Sequence, residues 1–260
     1  MTPPAPDEHR GESLALIGAA LVLLGAAGVM GPQAPLAGRI GVAVAAAVLA
    51  LIGAWRPVPS ARPLLVLVTA LLGMMLTGIV WQVVMAVALL MSALVGRLAP
   101  SARPGPGALG RGRLPWAATL VTGAITPLAL GLWVALWQPD LGDVVSAYVP
   151  EVPLAVLVIG GVAFALVNAA LEELIWRGVM QDALGRVLGS TVLVVGLQAL
   201  SFGVAHAHGV PRGPMGVLMA GSWAVLLGLL RRHAGGLLAP FVAHVVADAA
   251  IAVIILSGMG

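Results

Sequence analysis

Two adjacent carboxylates, Glu172 and Glu173, lie just beyond "VLVIGGVAFALVNA", fourteen residues without a charge, and Arg177 follows four positions after the second of them in "ALEELIWRGVM". Two further apolar stretches carry titratable groups. "SFGVAHAHG" places His206 four residues after Phe202, and "APFVAHVVADAA" places His244 and Asp248 four residues apart. Glutamate, histidine and aspartate are the side chains of general acid–base chemistry. An ionisable group at bilayer depth costs at least ~2.5 to 3.5 kcal/mol on insertion scales, so such groups persist there mainly where function uses them. On a helix Glu173 and Arg177 face each other and can neutralise as a pair, whereas Glu172, about 100° around the axis, is left for another task.

These groups need helices to hold them. The chain has 260 residues, 60% hydrophobic and 9% charged, whereas a soluble domain is about a quarter charged. The expectation is an all-α polytopic transmembrane bundle of about 8 to 9 spans. Apolar runs mark spans near residues 14–30, 36–54, 116–137, 153–187, 190–207, 214–231 and 236–257. Residues 63–96 carry no charge, and as one helix this run would reach roughly 50 Å, too long for a ~30 Å hydrocarbon core. A hairpin of two short spans, breaking near Thr77-Gly78, leaves only Arg39 and Arg212 outside and so fits the positive-inside rule better. The first apolar run follows Asp7, Glu8, Arg10 and Glu12 and reads as a retained helix rather than a signal peptide.

Depth brings the titratable groups together. If the glutamate helix turns at Gly189-Ser190, Glu172 and His206 each lie sixteen residues from that turn, about 24 Å, in neighbouring antiparallel helices. His244 and Asp248 rise from the "RRHAGG" turn towards the same level. The organisation expected is N-terminal spans over 1–96, an arginine-, proline- and glycine-rich cytoplasmic loop over 97–115, and a C-terminal core over 116–260 holding every intramembrane ionisable residue, all within one integral membrane domain.

"EELIWR", "FGVAH" and "HVVAD" resemble the Glu-Glu-x-x-x-Arg, Phe-x-x-x-His and His-x-x-x-Asn/Asp motifs of the CAAX-protease and bacteriocin-processing (Abi) superfamily, which includes the type II CAAX prenyl endopeptidase. The resemblance covers about residues 153 to 257. It implies peptide-bond hydrolysis inside the membrane without metal or cofactor, by a glutamate endopeptidase in a bacterial plasma membrane. In that reading Glu172 is the general base, His206 holds and activates a water, and His244 with Asp248 stabilises the oxyanion. Glu173, Arg177 and Phe202 support the site. An aspartate at 248 replaces the asparagine of many relatives; ionised, it cannot donate to an oxyanion, so it is either protonated by burial or acts by orienting His244, and orientation is the expected role. The implied partners are a peptide or protein substrate, lipidated or not, and membrane lipids. The active site is expected to open towards the cytoplasm.

Other readings compete with this one. A zinc peptidase could use His206, His244 and a carboxylate, but the chain has no His-Glu-x-x-His stretch and no cysteine. A non-catalytic immunity protein or a proton-coupled transporter could employ the same groups as a partner surface or relay. The net charge of +3 points to no nucleic-acid partner. The Glu173–Arg177 pair has an equally good structural reading as a helix-packing ion pair. His208 and His233 are expected at interfaces, and the seven tryptophans mostly in interfacial belts.

Overall fold

The computed structural model describes residues 9–31, 34–142, 145–146 and 149–258. Asp7, Glu8 and parts of the acidic loop before Glu151 lie outside them. The described residues form helices and no strand. In chain order these are α1 (Arg10–Met30), α2 (Leu36–Trp55), α3 (Arg62–Met74), α4 (Trp81–Leu98), α5 (Trp116–Trp137), α6 (Leu154–Leu188), α7 (Thr191–Ala205), α8 (Gly213–Ala234) and α9 (Leu238–Ser257). Seven of them are long and apolar enough to cross a membrane, while α3 with its extension to Thr77 and α7 are shorter apolar helices. The chain is an all-α polytopic membrane bundle, with valine, leucine and isoleucine side chains exposed along its outer faces, as lipid contact requires.

The uncharged run from residue 63 to 96 is broken where expected. A 3₁₀ turn over Met75–Thr77 ends α3, the Thr77 hydroxyl donates to the Met74 carbonyl at 2.7 Å, and Gly78 adopts φ 68°. Only glycine takes that left-handed conformation without steric cost, so the chain reverses there and α4 packs back on α3. The turn between α6 and α7 also falls at the expected place: Gly189 has φ 68° and the Ser190 side chain caps α7 by accepting from the Leu193 amide.

Inside α6 the pitch changes. Leu154–Glu172 is α-helical, Glu173–Met180 is π-helical and Gln181–Leu188 is α-helical again. π-Helix is rare and concentrates at functional sites, because it widens the turn and re-aims the side chains on it. Here it begins at the second of the two glutamates.

The arginine-rich connection between α4 and α5 is tied down. The amides of Arg113, Leu237 and Leu238 bond the carbonyls of Ala234, Gly110 and Arg111 at 2.8, 2.9 and 2.9 Å, fastening it to the α8–α9 turn. The Gly105 amide donates to Asp182 of α6 at 2.9 Å, and Arg231 of α8 donates to the Ala108 carbonyl at 3.1 Å. The backbones approach so closely at Gly112 and Gly236 that neither position has room for a Cβ. This connection covers one end of the C-terminal helices.

Candidate active site

His244 stands between the two glutamates. Its Nδ1 is 2.7 Å from Oε1 of Glu173, and its Nε2 is 3.5 Å from Oε2 of Glu172. The same Oε1 of Glu173 accepts from Nη1 of Arg177 at 2.9 Å. A carboxylate paired with a guanidinium accepts only, so Nδ1 of His244 carries a proton and Nε2 is the atom turned towards Glu172. His206 has a similar tautomer for a different reason: its Nδ1 lies 2.8 Å from the Phe202 carbonyl, which can only accept, and its Nε2 is 3.8 Å from Oε2 of Glu172. One glutamate oxygen therefore faces the free nitrogens of two imidazoles from two other helices. That oxygen is buried and has no hydrogen-bond partner among the described residues.

Asp248 is placed differently from expectation. It was expected to orient His244, but Glu173 holds the Nδ1 edge of that ring, and Oδ1 of Asp248 is 3.6 Å from Nε2, beyond hydrogen-bonding distance. The other Asp248 oxygen accepts from Nδ2 of Asn168 at 3.1 Å, and Asn168 in turn accepts from Nε2 of Gln82 at 3.0 Å. The i,i+4 spacing put Asp248 on the correct face of α9; the azimuth of the ring decided which carboxylate reaches its donor.

Aromatic rings fix the remaining geometry. Phe202 stacks on His206 with centroids 4.2 Å apart, and the Arg177 guanidinium lies 4.4 Å from the centre of the same ring. Trp176 meets Phe202 edge-on at 5.3 Å, and Trp223 meets His244 edge-on at 4.9 Å. Contacts of this kind each contribute about 0.5 to 1.5 kcal/mol beyond burial, enough to select a rotamer. Trp55, Trp116 and Trp137 are exposed near helix ends as an interfacial belt requires, whereas Trp176 and Trp223 are buried at the site. Asn168 and Trp176 lie four residues before and after Glu172, so helical spacing carried a signal for both. Gln82, in the N-terminal half, gave none.

Glu172, Glu173, Arg177, His244 and Asp248 are all buried, and only His206 keeps appreciable exposure, 29% of its side chain. His206, His244 and Asp248, with the hydroxyl residues Thr126 and Ser222, supply polar side chains to the wall of a cavity of about 270 Å³. The rest of the wall is largely apolar, from the middle of α5 (Ile125, Leu130), the first two thirds of α8 (Met219, Leu226) and α9 (Ile251). The cavity extends to Val210 and Pro211 in the α7–α8 connection, at the end of α8 remote from the arginine-rich loop. Among the described residues no group of three or more acidic or histidine side chains is disposed to hold a metal ion.

Residues 152–250, which carry Glu172, Glu173, Arg177, Phe202, His206, His244 and Asp248, match the family described as type II CAAX prenyl endopeptidase Rce1-like. Over these residues the chain is similar to the CAAX-protease superfamily. No curated protein and no solved structure matches the chain. The Rce1-like segment comprises α6 to most of α9, and its three motifs are the ones that meet around His244. Helices α1 to α5 lie outside it.

Proposed function

We propose that the protein is an intramembrane endopeptidase that hydrolyses a peptide bond with Glu172 as general base and without a metal ion. The observation that carries this reading is the convergence of Nε2 of His206 and Nε2 of His244 on one Glu172 oxygen, at 3.8 and 3.5 Å, beside an apolar cavity. A water between Glu172 and His206 would lie within reach of two acceptors. The carboxylate takes its proton as the oxygen attacks the substrate carbonyl, and the same proton passes to the departing amine. His244 is held by Glu173 through Nδ1, so when it also carries a proton on Nε2 that N–H points into the site and donates to the tetrahedral oxyanion. Glu173 thus takes a positioning role beyond its pairing with Arg177. Excluding bulk water strengthens each of these interactions.

The substrate class that fits is an extended peptide bearing an apolar or lipid-modified segment, taken up by the apolar walls of the cavity. In this reading residues 116–260 carry the chemistry and residues 1–96 brace it. The loop over 97–115 is cytoplasmic by the positive-inside rule. Its backbone bonds close the α8–α9 end, and the cavity extends the other way, towards Val210 and Pro211. A cytoplasmic opening is the expectation from the sequence; in this reading, with the loop inside, the cavity opens laterally or towards the other face.

The test is cleavage of a peptide library by the purified protein in detergent. Glu172→Gln and His206→Ala are each expected to reduce turnover by about 10³-fold or more, as loss of a base or its partner does, with the proteins still folded. EDTA is expected to leave the rate unchanged. Near-native cleavage by Glu172→Gln would sink the assignment, and zinc lost in step with activity would favour a zinc peptidase. Proton flux into proteoliposomes without any cleavage would favour a transporter.

A further inference from the structure

The mechanism leaves one polar chain unused, half-buried at Gln82 and buried at Asn168 and Asp248. It starts on α4, in the N-terminal half, and ends in the site: Nε2 of Gln82 donates to Oδ1 of Asn168 at 3.0 Å, and Nδ2 of Asn168 donates to Oδ2 of Asp248 at 3.1 Å. Asn168 and Asp248 are 6% and 4% exposed, so neither can exchange its partner for bulk water. A buried polar group that loses its only partner costs its full desolvation, and a half-satisfied network is worse than none. The chain runs from Gln82 through Asn168 to Asp248, the direction that suits an ionised Asp248: with no proton to give, it takes N–H from the amide facing it, and the Asn168 oxygen then accepts from Gln82. With Oδ2 tied in this way, Oδ1 is the oxygen left 3.6 Å from Nε2 of His244.

We propose that Asn168 is a positioning residue for the reaction, that it forms with Asp248 a single amide–carboxylate unit which sets the carboxylate beside His244, and that Gln82 fixes the orientation of that unit from the N-terminal half. This rests on the proteolytic reading of the site. It gives α4 a role in the chemistry although α4 lies outside the Rce1-like segment. It also gives the aspartate at 248 a physical logic, because the amide that an asparagine would provide on α9 is supplied across the helix interface from α6.

The unit predicts that its two members can trade places. Asn168→Asp sets two carboxylates against each other, and kcat for the cleaved peptide is expected to fall about 10²-fold with KM little changed. The exchange variant Asn168→Asp/Asp248→Asn faces an amide with a carboxylate again, and is expected to recover at least about tenfold of that loss, together with most of the lost thermal midpoint in detergent. Gln82→Met is expected to lower kcat about three- to tenfold at constant KM, the size of one neutral hydrogen bond. An exchange variant no better than Asn168→Asp in either kcat or thermal midpoint would overturn the pairing. Full kcat in Gln82→Met and in Asn168→Leu, both folded, would overturn the positioning role. If the unaltered protein cleaves nothing, the proteolytic reading and the catalytic part of this proposal both fail, and the pairing is judged by recovery of the thermal midpoint.

Discussion

Oε1 of Glu173 accepts two hydrogen bonds, from Arg177 at 2.9 Å and from His244 at 2.7 Å, in a place where the ion pair is 0% and 1% exposed. A buried pair gains little over apolar residues of the same shape, but breaking it strands a charge and costs about 3 to 5 kcal/mol. Glu173→Ala is therefore expected to lower the thermal midpoint in detergent sharply, and Glu173→Ala/Arg177→Leu to be more stable than Glu173→Ala alone. Equal or additive losses in the single and double variants would show that Arg177 does not depend on Glu173 for its burial. Neither variant is expected to turn over at the native rate, since both free Nδ1 of His244. The pair thus has both a packing role and a place in the site, two readings that the sequence left side by side.

At the scale of elements, two helix features set the site. The π pitch over Glu173–Met180 determines how the glutamates are aimed relative to the α-helical turns on either side. The contact between α7 and α8 determines where His206 stands, three residues beyond Gly203. A Cβ on Gly203 would fall 2.6 Å from the Val217 carbonyl oxygen and 3.0 Å from Cα of Gly221. Backbone atoms cannot swing aside, so Gly203→Ala must push the two helices apart and move His206 away from Glu172. The expected outcome is a lower thermal midpoint and at least about a tenfold loss of turnover, as a displacement of about 1 Å at a reacting group can cause. Gly196→Ala on the same helix meets nothing within 4 Å and is the control; alanine there is expected to be neutral or to stabilise by up to about 1 kcal/mol. Native turnover in Gly203→Ala would dissociate this contact from the site.

For the whole molecule the open matter is the orientation of the bundle. The absence of cysteine makes single substitutions readable by thiol labelling. Ala102 and Ala147 are the positions that the loops suggest, but Ala102 is buried at 6% exposure and Ala147 lies outside the described residues. Pro106 and Glu151, both exposed, replace them. An impermeant reagent on intact cells is expected to label Glu151→Cys and to spare Pro106→Cys. The reverse pattern would put the arginine-rich loop outside, and with it the closed end of the C-terminal helices.

Much of this architecture was legible in the amino-acid order because a helix has a fixed rise. Apolar length located the spans, Gly78 and Gly189 located reversals, and counting from Gly189-Ser190 set Glu172 and His206 at one depth. Motif spacing gathered Glu172, His206, His244 and Asp248 from three helices. The azimuths were not legible, since they depend on which helix packs against which and at what pitch. Nothing local distinguishes a π turn from an α turn in "ELIWRGVM", or turns Trp176 and Trp223 inward while Trp55 and Trp137 face outward. The sequence therefore determined which groups meet and at what depth. Only the tertiary structure decided that Glu173 rather than Asp248 holds the His244 ring, and that Gln82, from a different part of the chain, completes the polar path to Asp248, because hydrogen bonds between helices are fixed by rotation about their axes, which no single segment encodes.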